Sequence, residues 1–307
     1  MQELFEKTSK YTLPLNINNL HGRLLQIPPQ DSKKRNILLI YGHHSSLERM
    51  YGIAEELSKY GKVIVPDLPG FGGMDSFYKI GMKPTIDNFA DYLATFIKFK
   101  CRRSQLTVVG MSFGFVVVTR MLQRYPELSK RVELLVSVVG FSHSDDFVFT
   151  KRRKLFYITG SRIASTRLVA VAFKNLALHP FVIKTMYAKT HNAKNKFEHL
   201  TEKEKKTAID FEIYLWHCNE VRTYMSTAAQ FLRVNNCTKQ VDLPVWHIAV
   251  KDDNYFNNEI VEQHMRVIFK DFQLDTAILP SHAPSVIANA EEAAPLFPKK
   301  IREELSK

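Results

Sequence analysis

Residues 108–118 read VVGMSFGFVVV and place one serine, Ser112, between two glycines at the end of an apolar run. The residues before it, QLTVV (105–109), have the pattern of a buried strand, and residues 113–125 have the pattern of a helix. A strand that turns sharply into a helix through G-x-S-x-G is the setting of a nucleophile elbow, where only small residues fit beside the turn. We therefore expect Ser112 to be a nucleophile at the carboxyl edge of a parallel sheet, near a helix N-terminus.

Strand patterns alternate with helical patterns on both sides of this stretch. Apolar residues recur at helical spacing and indicate one helix before Gly61, which would be its C-cap. Another helix begins after Thr85, a suitable N-cap. This alternation predicts an α/β fold with a doubly wound, mostly parallel sheet, and residues 1–30 are expected to supply edge strands. The other strand patterns are NILLIY (36–41), KVIVP (62–66), VELLVSVV (132–139), PVWHIAV (244–250) and TAILP (276–280).

A long helical, lysine-rich segment interrupts the alternation between residues 141 and 240. It predicts a helical cap inserted into a core domain made of residues 1–140 and 241–307. The formal charge of +12 is concentrated there, since Lys151 to Lys206 contains fourteen basic and three acidic residues. The rest of the chain contains 29 basic and 28 acidic residues, so any anionic partner is expected to meet the cap.

The cysteine count and the apolar runs bear on location. Three cysteines without C-x-x-C spacing favour a reducing compartment, and the charged N-terminus has no apolar signal region. The most membrane-like stretch, Leu155 to Ile183, is broken by three cations and favours amphipathic helices over a spanning one. We expect a cytoplasmic protein with possible peripheral attachment to membranes.

A serine hydroxyl needs a histidine base and an acid that orients it. In the chain order serine, acid, histidine, the acid should follow a late strand and the base should follow the next one. Asp252 and Asp253 follow PVWHIAV, and His282 follows TAILP. Of the eleven histidines, His282 is the one in the required place.

Three further motifs complete a family resemblance: YGHH (41–44), PDLPGFGG (66–73) and SHAPS (281–285). Together with the elbow, they resemble the α/β-hydrolase family from about residue 36 to 307, in the branch with a helical cap between the sixth and seventh strands. Tyr41 stands where the family usually has histidine. The resemblance implies that Ser112 is the nucleophile, that His282 is the base, and that Asp253 is the acid.

The resemblance leaves the acid open between several aspartates. Asp253 fits the family pattern only if Val250 replaces the usual glycine, so Asp252 stays a candidate. Some members take the acid from the loop after the sixth strand, which points here to Asp145 or Asp146. The oxyanion hole would be the backbone N–H groups of His43 and Phe113.

No cofactor and no metal site is predicted. The adjacent histidines at 43 and 44 have no third ligand at suitable spacing, and neither H-E-x-x-H nor C-x-x-C occurs. The glycines at 70, 72 and 73 do not complete a phosphate-binding motif.

These residues predict acyl transfer to water through an acyl-enzyme. Carboxylesterases, lysophospholipases, monoacylglycerol lipases and C–C bond hydrolases of this fold share the serine, and acyl transfer to another acceptor would use the same residues. A binding protein that reuses the fold is the alternative from another class, because a fold alone does not fix function. No nucleic-acid partner is expected, since no recognition motif accompanies the basic segment.

The cap should set substrate preference. Its cations could attract anionic membrane or a phosphate-bearing substrate, although a solvated face is the simpler explanation of them. Nine of its apolar side chains could line an acyl pocket or form the cap's own core: Phe156, Tyr157, Phe173, Phe181, Tyr187, Phe211, Tyr214, Leu215 and Trp216.

Overall fold

A computed structural model describes residues 1–31, 35–102, 104–189, 201–251, 253–279, 282 and 289–307 of the chain. Eight described strands form one sheet in the order β1-β2-β4-β3-β5-β6-β7-β8. β2 pairs antiparallel with both β1 and β4, and the other five pairs are parallel, which confirms the predicted mostly parallel sheet. The strands are β1 (Thr12–Ile17), β2 (Leu20–Ile27), β3 (Asn36–Ile40), β4 (Lys62–Pro66), β5 (Leu106–Met111), β6 (Val132–Val138), β7 (Val245–Val250) and β8 (Phe272–Ala277).

Helices connect these strands and supply the rest of the described structure. The predicted cap at Thr85 forms, because its side chain accepts a hydrogen bond from the backbone N–H of Asn88 at 3.1 Å. The helices are α1 (Gln2–Lys10), α2 (Leu47–Leu57), α3 (Ile86–Lys100), α4 (Phe113–Arg124), α5 (Lys151–Ala164), α6 (Arg167–Leu176), α7 (Pro180–Lys189), α8 (Glu202–Cys218), α9 (Val221–Phe231), α10 (Asn258–Ile268), α11 (Ala290–Ala293) and α12 (Lys299–Ser306).

The centre of the sheet is apolar on both faces. Every residue of β5 is buried, and so are four of the five residues of β3. Strands that are covered by helices on both sides need such runs, because neither face meets water. The sheet is therefore organised around β3, β5 and β6, whose carboxyl ends meet at one edge.

The last strand differs from its prediction. TAILP (276–280) is the expected strand, whereas β8 begins at Phe272 and ends at Ala277, paired with β7 from Val245↔Phe272 onward. β8 lies at the edge of the sheet, and half of its six residues are exposed. Its polar FQLDT start therefore does not give the apolar signal of a buried strand.

The inserted helices, α5 to α9, lie between β6 and β7 in the chain. They have a small core of their own, formed by Ala170, Leu178, Ile183 and Val221. None of the helices in the described part of the chain is both long and apolar enough to cross a bilayer.

The junction between α8 and α9 is fixed to the loop after β4. The backbone N–H of Gly73 donates to the Cys218 carbonyl at 2.8 Å, and the N–H of Gly72 donates to Asn219 Oδ1 at 2.8 Å. The glycine-rich segment PDLPGFGG therefore acts here as a docking loop for the inserted helices.

Candidate active site

Ser112 occupies a strained turn between β5 and α4. Its backbone angles are φ 46° and ψ −118°, a conformation that L-residues adopt rarely and mainly at functional sites. The two flanking glycines make the turn possible by close approach. A Cβ on Gly110 would lie 2.8 Å from Phe115 Cα, and one on Gly114 would lie 2.4 Å from the Ile40 carbonyl oxygen.

The structure brings His282 and Asp253 to this serine. His282 Nε2 lies 3.4 Å from Ser112 Oγ, and His282 Nδ1 lies 2.6 Å from Asp253 Oδ2. The contact to the hydroxyl is long for a hydrogen bond, as is common before a substrate tightens the site. The imidazole therefore bridges the hydroxyl and a carboxylate through its two nitrogens.

Asp253 is held by its own loop. Its Oδ1 accepts hydrogen bonds from the backbone N–H groups of Tyr255 at 2.8 Å and Phe256 at 3.2 Å. The rings of these two residues each lie 5.2 Å from the His282 ring in edge-on geometry. Only 2% of the Asp253 side chain is exposed, so the carboxylate is fixed and largely excluded from water.

The other aspartate candidates are placed differently. Asp146 is fully buried, but it pairs with His264 Nδ1 and accepts hydrogen bonds from the backbone N–H groups of Ser142 and His143. Asp145 is mostly exposed and pairs with Lys154 Nζ at 3.0 Å, and this lysine lowers the pKa of the carboxyl. Neither is the carboxylate at His282, and Asp252 lies outside the described residues.

The backbone groups expected for an oxyanion hole lie beside the serine. Phe113 is the first residue of α4, so its N–H has no acceptor within the helix. Gly42 passes so close that a Cβ there would lie 3.2 Å from Ser112 Cβ, which brings the following residue, His43, to the same place. The next turn needs a positive φ of 58° at His44, whose carbonyl accepts a hydrogen bond from Arg49 Nη1 at 2.8 Å.

The side chain of His43 ties this segment to the inserted helices. Its Nε2 lies 2.8 Å from Thr227 Oγ1 and 3.2 Å from the Tyr224 carbonyl oxygen, both on α9. The Thr227 hydroxyl donates its own proton to the Thr223 carbonyl at 2.7 Å, so Nε2 of His43 must be the donor. Burial lowers the pKa of His43 to about 3, and the ring is therefore neutral.

Solved structures show which fold this arrangement belongs to. An enol-lactonase from Burkholderia xenovorans LB400 superposes with a TM-score of 0.65 at 12% identity, covering 96% of this chain and all of that one. The chain has the α/β-hydrolase fold. A thermophilic esterase from Thermogutta terrifontis gives 0.64 at 16% identity over 96% and 99% of the chains, and a putative lipase from Acinetobacter baumannii AYE gives 0.63 at 16% over 99% and 96%. No family model and no curated protein matches the sequence.

In this α/β-hydrolase fold, aromatic rings pack around the side chain of His43, close to the nucleophile segment. The His43 ring lies 5.7 Å from Phe113, 5.4 Å from Phe71 and 5.0 Å from Phe231, measured between ring centroids. Tyr224 lies closer, at 4.2 Å, and burial raises the pKa of its hydroxyl to about 12. The side chains packed around the His43 ring are therefore apolar or, in the case of Tyr224, neutral.

Several of the side chains that could line an acyl pocket lie elsewhere. Phe156 and Phe181 are about three-quarters exposed, because they face outward from α5 and α7. Phe211 and Leu215 are buried, but they pack against α1 through Phe5 and Leu4. The Tyr214 ring lies 4.8 Å from that of Phe5, in edge-on contact with α1.

The remaining candidates divide between the site and the cap core. Trp216 reaches the site region, with its ring 4.8 Å from Tyr224 and 4.4 Å from His44. Phe173 packs in the small core of the inserted helices, and Tyr157 contacts the Phe149 ring edge-on. The side chain of Tyr187 lies outside the described residues.

Two contacts near the site are not visible in the sequence pattern. The His43–Thr227 contact joins residues 184 positions apart, and the His264–Asp146 pair joins residues 118 apart. Thr227 lies in an ordinary helical pattern, so the sequence gives no signal for its contact with His43. For the His264–Asp146 pair, the available signal was that Asp146 lies close to a histidine, His143, in one loop. Within the described residues, no group of three or more histidine, cysteine, aspartate and glutamate side chains is arranged to hold a metal ion.

Proposed function

We propose that this chain is a serine hydrolase that cleaves a carboxylic ester or a related acyl substrate through an acyl-enzyme. One observation carries the proposal: a serine in a strained elbow, a histidine that contacts it, and a buried carboxylate on the other nitrogen of that histidine. This combination is the geometry that activates a serine hydroxyl. The likeness to esterases and lipases supports the fold on which it is built.

The mechanism assigns one role to each group. Ser112 Oγ attacks the substrate carbonyl carbon while His282 Nε2 takes the hydroxyl proton. Asp253 keeps the proton on Nδ1 and stabilises the imidazolium that forms. The N–H groups of His43 and Phe113 donate to the oxyanion of the tetrahedral intermediate.

The remaining steps release the alcohol and then the carboxylic acid. His282 gives its proton to the leaving alcohol, and the acyl group stays on Ser112 Oγ. A water molecule then loses a proton to His282 and attacks the ester carbonyl. The collapse of this second intermediate returns the proton to Ser112 and releases the carboxylic acid.

The aromatic surroundings favour apolar acyl groups. Phe71, Phe113 and Phe231 are near the His43 ring, and the neutral His43 offers no cation to a charged substrate. An aliphatic ester would bury its chain against these rings, whereas a carboxylate-bearing acyl group would lose hydration among them. The proposal therefore favours carboxylesterase or lipase-like substrates, including monoacylglycerols and lysophospholipids.

The test combines active-site labelling with turnover. We expect a fluorophosphonate to label Ser112, as located by mass spectrometry, and p-nitrophenyl esters to be hydrolysed with a burst. Ser112→Ala should abolish both, and Asp253→Asn should lower kcat by about 10⁴-fold. Asp145→Asn is the matched control, because that aspartate pairs with Lys154 and should leave turnover unchanged.

The outcomes separate the candidate functions. A labelled serine other than Ser112, or equal loss from Asp145→Asn, would contradict the assigned site. A protein that is folded but neither labels nor turns over any ester would instead support a binding protein that reuses the fold. Esters of short and long chains, compared in kcat/KM, rank an esterase against a lipase.

A further inference from the structure

The outward face of α6 carries large apolar side chains. Leu168, Ala172 and Leu176 recur at every fourth position and therefore share one face of the helix. Leu168 is 84% exposed and Leu176 is 73% exposed, whereas Ala170, on the opposite side, is buried. A helix at the surface of a soluble protein normally has the reverse pattern, with polar residues outward.

The same pattern continues on α5. Phe156 and Ile163 are seven residues apart, on one face of that helix, and both are exposed. α5 and α6 both pack on α9 and also contact each other, so their exposed faces are neighbours. We call this face the outer surface; its members are Leu155, Phe156, Ile163, Leu168, Val171, Ala172 and Leu176.

The outer surface is where the exposed apolar side chains concentrate. Eighteen large apolar side chains are exposed among the described residues, and ten of them lie between Val148 and Phe181. Scattered exposed apolar residues are normal, but a contiguous group of this kind marks an interaction surface. A partner with an apolar component is therefore required.

Cations flank these apolar side chains. No aspartate or glutamate occurs from residue 147 to residue 197. Lys154 pairs with Asp145 and Lys184 pairs with Asp210, at the borders of the surface. Six other cations on α5 and α6 form no salt bridge within the residues that the structure describes: Lys151, Arg152, Arg153, Arg162, Arg167 and Lys174.

We propose that the outer surface docks on an anionic lipid membrane. A bilayer offers apolar chains to Phe156, Leu168 and Leu176 and negative headgroups to the flanking cations, in the manner of helices that lie in the interface plane. A second copy of this chain would bring two cationic surfaces face to face. A nucleic acid would neutralise the cations but would leave the aliphatic side chains uncovered, since such interfaces are polar.

The surface lies one helix layer from the candidate active site. α9 separates them: α5 and α6 pack on it, and its Thr227 contacts His43. Arg222 of α9 also donates from Nε to the Ser165 carbonyl between α5 and α6, at 3.4 Å. A docked protein would hold the site close to lipid substrates; this last step rests on the proposed function, whereas docking itself does not.

The test is flotation of the full-length Ser112→Ala protein with vesicles, so that catalysis has no part in the result. One vesicle is phosphatidylcholine alone, and in the other one third of the lipid is phosphatidylserine. We expect binding to the anionic vesicle to exceed binding to the neutral vesicle by at least about tenfold, and to weaken in high salt. Equal binding to both vesicles, or binding to neither, overturns the proposal.

Two sets of variants assign the binding to the outer surface. Leu168→Ser with Leu176→Ser should weaken anionic binding at least about tenfold, whereas Phe99→Ser with Val267→Ser, exposed elsewhere, should not. Reversing the charge of three outer-surface cations should abolish binding to anionic vesicles. Reversing the charge of three cations elsewhere should preserve it. The outer-surface variant carries Arg152→Glu, Arg167→Glu and Lys174→Glu. The control variant carries Lys130→Glu, Lys270→Glu and Lys300→Glu.

The competing occupants give distinct results. Equal losses in both charge variants would show a response to net charge alone and overturn the assigned surface. The surface would be assigned to a second copy if the protein does not bind vesicles and sedimentation shows a dimer. Leu168→Ser with Leu176→Ser should then dissociate that dimer. Binding to single-stranded RNA that is stronger than binding to anionic vesicles would overturn the lipid assignment as well.

Discussion

His43 donates a hydrogen bond from Nε2 to Thr227 Oγ1 at 2.8 Å, and so links the segment beside the nucleophile to helix α9 of the insertion. The threonine is fully buried, so water cannot replace it. Because the N–H of His43 is proposed to bind the oxyanion, α9 positions that donor.

Thr227→Val keeps the shape of the side chain and removes the acceptor. We expect kcat to fall about tenfold, with little change in KM, because the donor is misplaced chiefly for the transition state. Thr227→Ser should restore most of the rate. Steady-state kinetics with a p-nitrophenyl ester measures both constants.

The control for this prediction is Thr95→Val on α3, whose hydroxyl donates to the Asp91 carbonyl far from the serine. It reports what loss of a threonine hydroxyl from a helix does on its own. A KM change without a kcat change in Thr227→Val would assign the threonine to substrate binding instead.

Asp146 supports the loop that carries Asp253. Its backbone carbonyl accepts a hydrogen bond from Asn257 at 2.8 Å, and its carboxylate pairs with His264. We expect Asp146→Asn to destabilise the protein by about 2 kcal/mol, because it weakens a buried charged hydrogen bond. Its kcat should fall less than that of Asp253→Asn, and urea unfolding with parallel kinetics measures both effects. An equal loss of kcat in a stably folded Asp146→Asn protein would make Asp146 the catalytic acid.

The elbow could be predicted because its signal is local. Strand, glycines and serine lie within one short segment, and the close contacts of Gly110 and Gly114 require that spacing. Gly61 was misleading as a signal for a helix end. Helix α2 ends at Leu57 and not near Gly61, which instead packs against the backbone of Arg35. A glycine needed for close approach and one needed for a helix end look alike in sequence.

The direction that a cap side chain faces could not be predicted. Phe156 and Phe173 lie in similar helical patterns, but the first points outward and the second packs in the cap core. Helical spacing gives the faces of a helix, and only tertiary packing decides which face meets the protein. The pairing of Asp146 with His264 likewise depends on contacts distant in sequence.

Two buried neutral histidines make stability depend on pH. Burial lowers the pKa of His247 to about 4 and that of His43 to about 3, from an ordinary value of 6.5. The unfolded chain therefore binds more protons than the folded chain below pH 6.5, and stability falls as pH falls toward those values. Each histidine contributes a slope of up to ~1.4 kcal/mol per pH unit in that window.

His247→Gln removes one of these two groups and keeps a polar partner for Ser137, which lies 2.8 Å from His247 Nδ1. We expect this variant to lose less stability than the wild type between neutral pH and about pH 5. Urea unfolding at several pH values measures the difference. His217→Gln is the control, since that histidine is exposed on α8, and an identical pH response in both variants would contradict the assignment.

Replacing either of two glycines by alanine should change the stability of the protein in opposite directions. A Cβ on Gly114 would meet the Ile40 carbonyl oxygen at 2.4 Å, whereas one on Gly160, within α5, would meet nothing within 4 Å. Gly114→Ala should therefore destabilise the protein by about 2–3 kcal/mol and displace the elbow, with loss of fluorophosphonate labelling. Gly160→Ala should stabilise it by about 0.5–1 kcal/mol, because alanine loses less backbone entropy in a helix. Urea midpoints of both variants measure these changes, and a Gly114→Ala protein of wild-type stability and labelling would show that the backbone of β3 does not confine the elbow.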